Sequence, residues 1–208
     1  MKKRQLLMSI LTIPLLVLVA WYHGGSEPLS GDEVEFYLSS IGEQDQNPGG
    51  RHDFKALRNF LENDDGQPFY TVNLYNYHPK AHYELGSEYS NKFLDDSGRA
   101  AFDRFSKVMI KLLASHASHP IFGSEWMDDS SDWDRLVIVR YRSRRDIAKI
   151  FASDEFAEAS EHKWAALVDN ERLLVQGLHI PSVYLIALIM ILLIYVVYFL
   201  HWRQRRVG

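Results

Sequence analysis

The 208-residue chain contains no cysteine, which excludes disulfides, thiolate nucleophiles and Cys-based zinc or iron–sulfur sites. It carries no Asn-x-Ser/Thr sequon, in keeping with a bacterial inner-membrane protein. Its glycines form neither a phosphate-cradling loop nor a dinucleotide fingerprint, and neither a Ser–His–Asp pattern nor an internal repeat is present. Basic residues are scarce where a nucleic acid would need them. Six of the 23 Lys and Arg stand at the extreme ends: Lys2, Lys3, Arg4, Arg203, Arg205 and Arg206. The 17 that remain face 27 acidic residues, all between Glu27 and Glu171, for a net charge of −10. That balance argues against a nucleic-acid partner.

What the chain has in excess is apolar sequence at its two ends. Residues 6–22 form a 17-residue uncharged run behind the Lys2-Lys3-Arg4 cluster. A cleaved signal peptide and an uncleaved anchor both fit. Leu18 is too bulky for the small-residue pattern before a cut at Ala20, and Trp21 with Tyr22 suits a membrane interface, so the anchor is preferred. Residues 183–200 are 18 uncharged residues flanked by Pro181 and by Trp202 with three arginines. A core helix of that length would need polar positions on its outer face, and this run has none, so it reads as a transmembrane helix. Basic residues flank both outer ends and stay on the cytoplasmic side. The expectation is a plasma-membrane protein with both termini cytoplasmic, if the first segment is uncleaved, and a periplasmic middle.

The pattern divides the chain into an anchor or signal peptide (1–23), a helical extension (24–66), a folded domain (67–180), a transmembrane helix (181–202) and a basic tail (203–208). In the extension, Ser30 and Glu33 form a capping-box pattern before Val34, Tyr37, Leu38 and Ile41, which recur at helical spacing. A break at 47–50 follows. Asp53 then caps a helix with a Phe54, Leu57, Phe60, Leu61 stripe. These two helices read as an appended hairpin or collar.

In the domain, 69–77 reads as a strand, 78–97 as a tyrosine-bearing loop, and 100–114 as an amphipathic helix stopped by His119-Pro120. Strands at 121–127 and 133–141 flank an acidic turn at 128–132. Helices follow at 144–152, capped by Ser143, and at 154–167, capped by Asp154; a last strand lies at 173–178. The β-α-β-β-α-β order predicts an α+β, ferredoxin-like sheet with helices on one face. Its bare face needs a cover, and a second copy would supply one.

Several blocks are familiar. Pro68-Phe69-Tyr70-Thr71-Val72-Asn73-Leu74 resembles the first strand of small dimeric α/β-barrel proteins, and Gly98-Arg99-Ala100-Ala101-Phe102 the start of their first helix. The stretch from Trp133 through Arg144 resembles their third strand and turn, and Asp154-Glu155-Phe156 with His162 and Ala165-Ala166-Leu167 their second helical segment. The domain is thus similar to the antibiotic-biosynthesis-monooxygenase superfamily, nearest an uncharacterised domain-of-unknown-function branch. The resemblance covers about residues 68–178 and implies the fold and a homodimer. It leaves activity open, because the superfamily includes cofactor-free oxygenases, isomerases, haem-degrading enzymes and members without a reaction. The terminal membrane segments and leading helices depart from it.

Three polar residues are the ligand-pocket candidates. His162 has the chemistry of a general base or substrate-orienting group. Arg140, inside an apolar strand, would bind an oxyanion if it points inward. Asn73, in the first strand, needs partners that a ligand or a loop would supply. Edge histidines, interface ion pairs and satisfied amides are the structural alternatives for the three. His78/His82 and His116/His119 have metal-like spacing. Pro79 and Pro120 work against the helical geometry, and neither pair has a carboxylate between its members, so no metal and no cofactor is expected. Tyr70, Tyr75, Tyr77, Tyr83 and Tyr89 are either an aromatic pocket or packing. No catalytic constellation is legible. The preferred reading is a membrane-anchored module that binds a small apolar ligand or a protein. The alternative is a cofactor-independent monooxygenase-like enzyme acting on a hydrophobic or aromatic substrate.

Overall fold

The computed structural model describes residues 2–23, 27–44, 51–84, 86–90, 92–125, 131–177 and 183–207. The break expected at 47–50, positions 128–130 of the acidic turn and Pro181 lie outside them. The elements in order are α1 (Lys2–His23), α2 (Gly31–Gln44), α3 (Phe54–Glu62), β1 (Phe69–Tyr77), α4 (Gly98–Ser115), β2 (His119–Glu125), β3 (Arg135–Tyr141), α5 (Arg144–Phe151), α6 (Asp154–Ala166), β4 (Leu167–Val175) and α7 (Val183–Val207). They fall into two compact units, residues 25–177 and the terminal segments 1–24 with 178–208. In the terminal unit α1 and α7 pack together, and the rings of His23 and Tyr184 meet at 4.4 Å.

The central unit is α+β. Its four strands form one antiparallel sheet in the order β2-β3-β1-β4, consistent with a ferredoxin-like fold. Strand alternation decides which residues meet the helices. Phe69, Thr71, Asn73 and Tyr75 of β1 are buried, while the residues between them are only partly covered. On the covered side Tyr75 meets Phe102 of α4 with ring centroids 4.5 Å apart, and Phe105 of α4 meets Phe156 of α6 at 6.3 Å.

The leading helices share this core. The Ser30 amide donates to Glu33 Oε2 at 2.9 Å and the Glu33 amide to Ser30 Oγ at 3.3 Å, completing a capping box. Val34, Tyr37, Leu38 and Ile41 of α2 and Leu57 and Leu61 of α3 join the same buried cluster as the sheet. Arg145 of α5 pairs with Glu33, and Arg144 Nη1 donates to the Phe60 carbonyl at 2.6 Å. Both chain exits of the unit are tied to one turn. The Leu29 amide donates to Asp64 Oδ2 at 3.0 Å, and Gln176 Nε2 to Asp65 Oδ2 at 2.9 Å.

Three local expectations need correction. The last strand is Leu167–Val175, not 173–178. Asp169, Asn170, Glu171 and Arg172 hid it, because an edge strand has water at its side and tolerates polar residues. His119 and Pro120 open β2 rather than merely ending the helix; on an edge strand the missing proline N–H costs no ladder bond. α6 is capped by Ser153, whose hydroxyl accepts from the Phe156 amide at 3.3 Å, not by Asp154.

Candidate functional site

The three candidates do not meet. Asn73 faces the helices and is satisfied by the protein: its Nδ2 donates to Thr71 Oγ1 at 2.8 Å and to the Val137 carbonyl at 3.1 Å. Arg140 pairs with Tyr70, one residue out of phase with the buried set, so it starts from the opposite side of the sheet. It is nevertheless buried, and its Nη1 donates to the carbonyl of Ala117 at 3.3 Å. Ala117 has φ of 51°, a left-handed conformation uncommon outside glycine. One strand's phase relative to the next placed Asn73 and Arg140 on different faces, which no single-strand pattern reveals.

His162 lies on α6 beneath the 78–97 loop. Tyr83, Tyr89 and Phe93 surround its ring, with centroids 5.7, 4.4 and 5.9 Å away. Arg104 Nη2 donates to Tyr83 Oη at 3.3 Å, and Tyr83 Oη stands 2.9 Å from His162 Nδ1. With the guanidinium donating to the phenol, the phenol's own hydrogen is free for Nδ1, which leaves the proton of neutral His162 on Nε2. Burial pushes the imidazole pKa down, and the Arg104 charge adds to the effect. Burial raises the Tyr83 phenol as well. A cavity of about 360 Å³ opens beside this cluster, lined by His82, Tyr83, Tyr89, Ser90 and Phe93 among others.

A second, smaller cavity of about 130 Å³ lies between the sheet and α4, lined by Tyr75, Met109, Ile110, Leu113, Val137 and Val139. Neither Asn73, Arg140 nor His162 lines it. Of the tyrosines singled out in the sequence, Tyr83 and Tyr89 box the histidine, whereas Tyr75 and Tyr77 pack against Phe102. The rings of His78 and His82 lie 4.1 Å apart, with His78 pushed down in pKa by burial and by its neighbour. Among the described residues no group of three or more His, Asp or Glu is placed to hold a metal.

Sequence reading passed over a second buried cation of the unit, besides Arg140. Lys163 is 4% exposed and sits on the α6 stripe of Phe156, Ala159, Ser160 and Ala166 that faces the core. The available signal was a lysine at helical spacing within that otherwise small or apolar stripe. Burial, and then the Arg172 charge, hold its ammonium pKa well below the ordinary range.

No protein-family model matches the chain, and no curated protein matches it. Solved structures do. A crystal structure of methylated RPA0582 protein superposes with a TM-score of 0.54 at 19% identity, covering 64% of this chain and 96% of that one. The RPA0582 protein of unknown function from Rhodopseudomonas palustris gives a TM-score of 0.51 at 16% identity, covering 64% and 99%. At these identities the likeness is one of fold.

Proposed function

We propose that the chain is a membrane-tethered, extracytoplasmic module of the dimeric α/β-barrel type, which pairs with a second copy through its sheet and binds a small ligand in the layer between sheet and helices. The observation that carries this reading is the uncovered sheet face. The register sets Val72 beside Ile138 and Leu173, Leu74 beside Leu136, and Ile138 beside Phe122. All lie out of phase with the helix-facing set, and Phe122 and Leu173 are 52% and 48% exposed. A contiguous apolar face of this kind marks an interaction surface. A second copy is its natural occupant, because a two-fold pairing presents the same apolar patch from both sides.

The membrane reading is supported by α7, in which Tyr184–Trp202 is long and apolar enough to cross a bilayer. The apolar part of α1 within the described residues, Thr12–His23, is shorter. Its packing on α7 favours an anchor that is retained. The basic flanks support cytoplasmic termini, the first of them if its segment is uncleaved. The test is the mass of the full chain in detergent by sedimentation: wild type should be dimeric, and Phe122→Asp with Leu173→Asp monomeric but folded by circular dichroism. A monomeric wild type would overturn the reading.

One observation favours a second reading, a cofactor-independent monooxygenase-like enzyme. The Arg104–Tyr83–His162 chain orients an imidazole whose pKa burial pushes down, and Tyr83 of that chain lines a cavity, an arrangement that suits a general acid–base group. Oxygen uptake with a panel of dihydroxyaromatic compounds, abolished in His162→Ala without loss of fold, would support it.

A further inference from the structure

The arginines around the start of α5 are not used alike. Arg142 pairs with Asp146, and Arg145 with Glu33. Arg144, between them, makes no ion pair among the described residues. Its Nη1 donates to the Phe60 carbonyl at 2.6 Å, and its guanidinium carbon lies 4.8 Å from the centroid of the Phe60 ring. Those two contacts fix the group against α3. Its other nitrogens, Nε included, have no protein partner among the described residues. The carboxylates of the turn after α3 are engaged elsewhere. Asp64 accepts from the Leu29 and Gly66 amides, and Asp65 from Gln176 and the Gln67 amide.

Arg144 stands in the wall of a cavity of about 520 Å³, at the corner where α3, the start of α5, the start of β1 and the end of β4 meet. Among the described residues it is the single charged member of the lining. Phe60, Phe69, Leu174 and Val175 form the apolar part of the wall, and the rings of Phe60 and Phe69 meet at 5.2 Å. Leu174 pairs in register with Thr71, so it lies on the helix-facing side of the sheet, yet it is 50% exposed. The helices thus leave this corner of their own face open. The volume is in the range of small-molecule sites. A tie between α3 and α5 needs one donor and no charge. A planar guanidinium with free donors matches a carboxylate, and one unpaired positive charge matches one negative charge. The apolar wall matches an apolar body. We propose that this cavity binds a small organic monocarboxylate, with its head on Arg144 and its body against Phe69, Leu174 and Val175. The inference rests on the ligand-binding part of the proposed function, to which it gives a place and a ligand class.

The experiment uses the full chain in detergent and follows thermal unfolding at constant ionic strength with added hexanoate or benzoate and with the matching neutral amides. At least one carboxylate should raise the unfolding midpoint in a saturable way, while its amide leaves it unchanged. Arg144→Gln removes the charge and should weaken carboxylate binding about tenfold or more. Leu174→Trp adds bulk to the cavity wall at an exposed position, on the side of the sheet opposite Leu173 and Phe122. It should fold as wild type does by circular dichroism and lose the response, and it decides the matter if Arg144→Gln does not fold. The inference is overturned if neither carboxylate stabilises the wild type, if an amide does as well as its acid, or if a folded Arg144→Gln or Leu174→Trp responds as wild type does. In that last case the carboxylate binds elsewhere, and the ligand-binding reading stands without this site. Sedimentation of the same samples separates the assembly: a dimer that binds no carboxylate loses this inference alone, and a monomer that binds one loses the assembly.

Discussion

At the scale of single residues, Asp146 shows what a buried charge requires in order to stay charged. It is 1% exposed, yet Arg142 reaches it with two bonds, Nε to Oδ2 at 2.8 Å and Nη2 to Oδ1 at 2.7 Å. The Ser143 hydroxyl adds a third at 2.7 Å. Burial alone would raise the carboxyl pKa; the Arg142 and Ser143 bonds outweigh it and hold the group below its usual range. Asp146→Ala removes all three of these bonds from a buried position and should cost about 3 kcal/mol in urea unfolding at pH 7. His162 works in the opposite sense. Its folded pKa lies below the ordinary 6.5, so below that value the unfolded chain binds more protons than the folded one. Its contribution is complete above pH 6.5 and is lost as pH falls through the depressed folded value. The unfolding midpoint of wild type should therefore drop as the pH falls below 6.5 more than that of His162→Gln does.

At the scale of elements, the start of α4 is a tight junction in the central unit. The Gly98 amide donates to the His78 carbonyl at 3.1 Å, and the His78 amide to the Ala166 carbonyl at 2.8 Å. A Cβ on Gly98 would stand 2.3 Å from the His78 oxygen and 2.6 Å from the Ala166 oxygen. Both are backbone atoms that cannot swing aside. Gly98→Ala should destabilise by about 3 kcal/mol, read from the shift in denaturant midpoint at constant slope. The glycine is needed because three elements converge there, not for an unusual φ. At the start of α2, the Arg145 bond, with those from Ser30, brings Glu33 down to about 2. This stabilisation is present above the ordinary value of 4.5 and is lost as the pH falls towards 2. Ser30→Ala should cost about 1 kcal/mol through the cap.

At the scale of the whole molecule, the central unit holds its first and last described segments at adjacent residues, Asp64 and Asp65. The two ends of the unit are thus fastened to one turn, within the unit itself. A reporter active only outside the cytoplasm should be silent when fused after Gly208 and active when inserted near Gly49. The reverse pattern would overturn the orientation, and with it an extracytoplasmic site.

The sequence by itself determined most of the elements, because their signals are local. The Ser30–Glu33 box, the Asp53 and Ser143 caps, the β1 alternation and the α4 stripe each need only neighbours within a turn or along one strand. The length of the last apolar run is local in the same way. Only tertiary structure decided the rest. β4 became a strand because β1 offered it an edge, although its own residues are polar. Asn73 and Arg140 parted because cross-strand register, set by packing, put them on opposite faces. His162 gained its partners from a loop some 80 residues earlier in the chain, Tyr83 being 79 positions away. Lys163 has its ammonium pKa held low because α6 turns that position into the core, with the Arg172 charge adding to the effect, and burial is decided in space rather than in sequence.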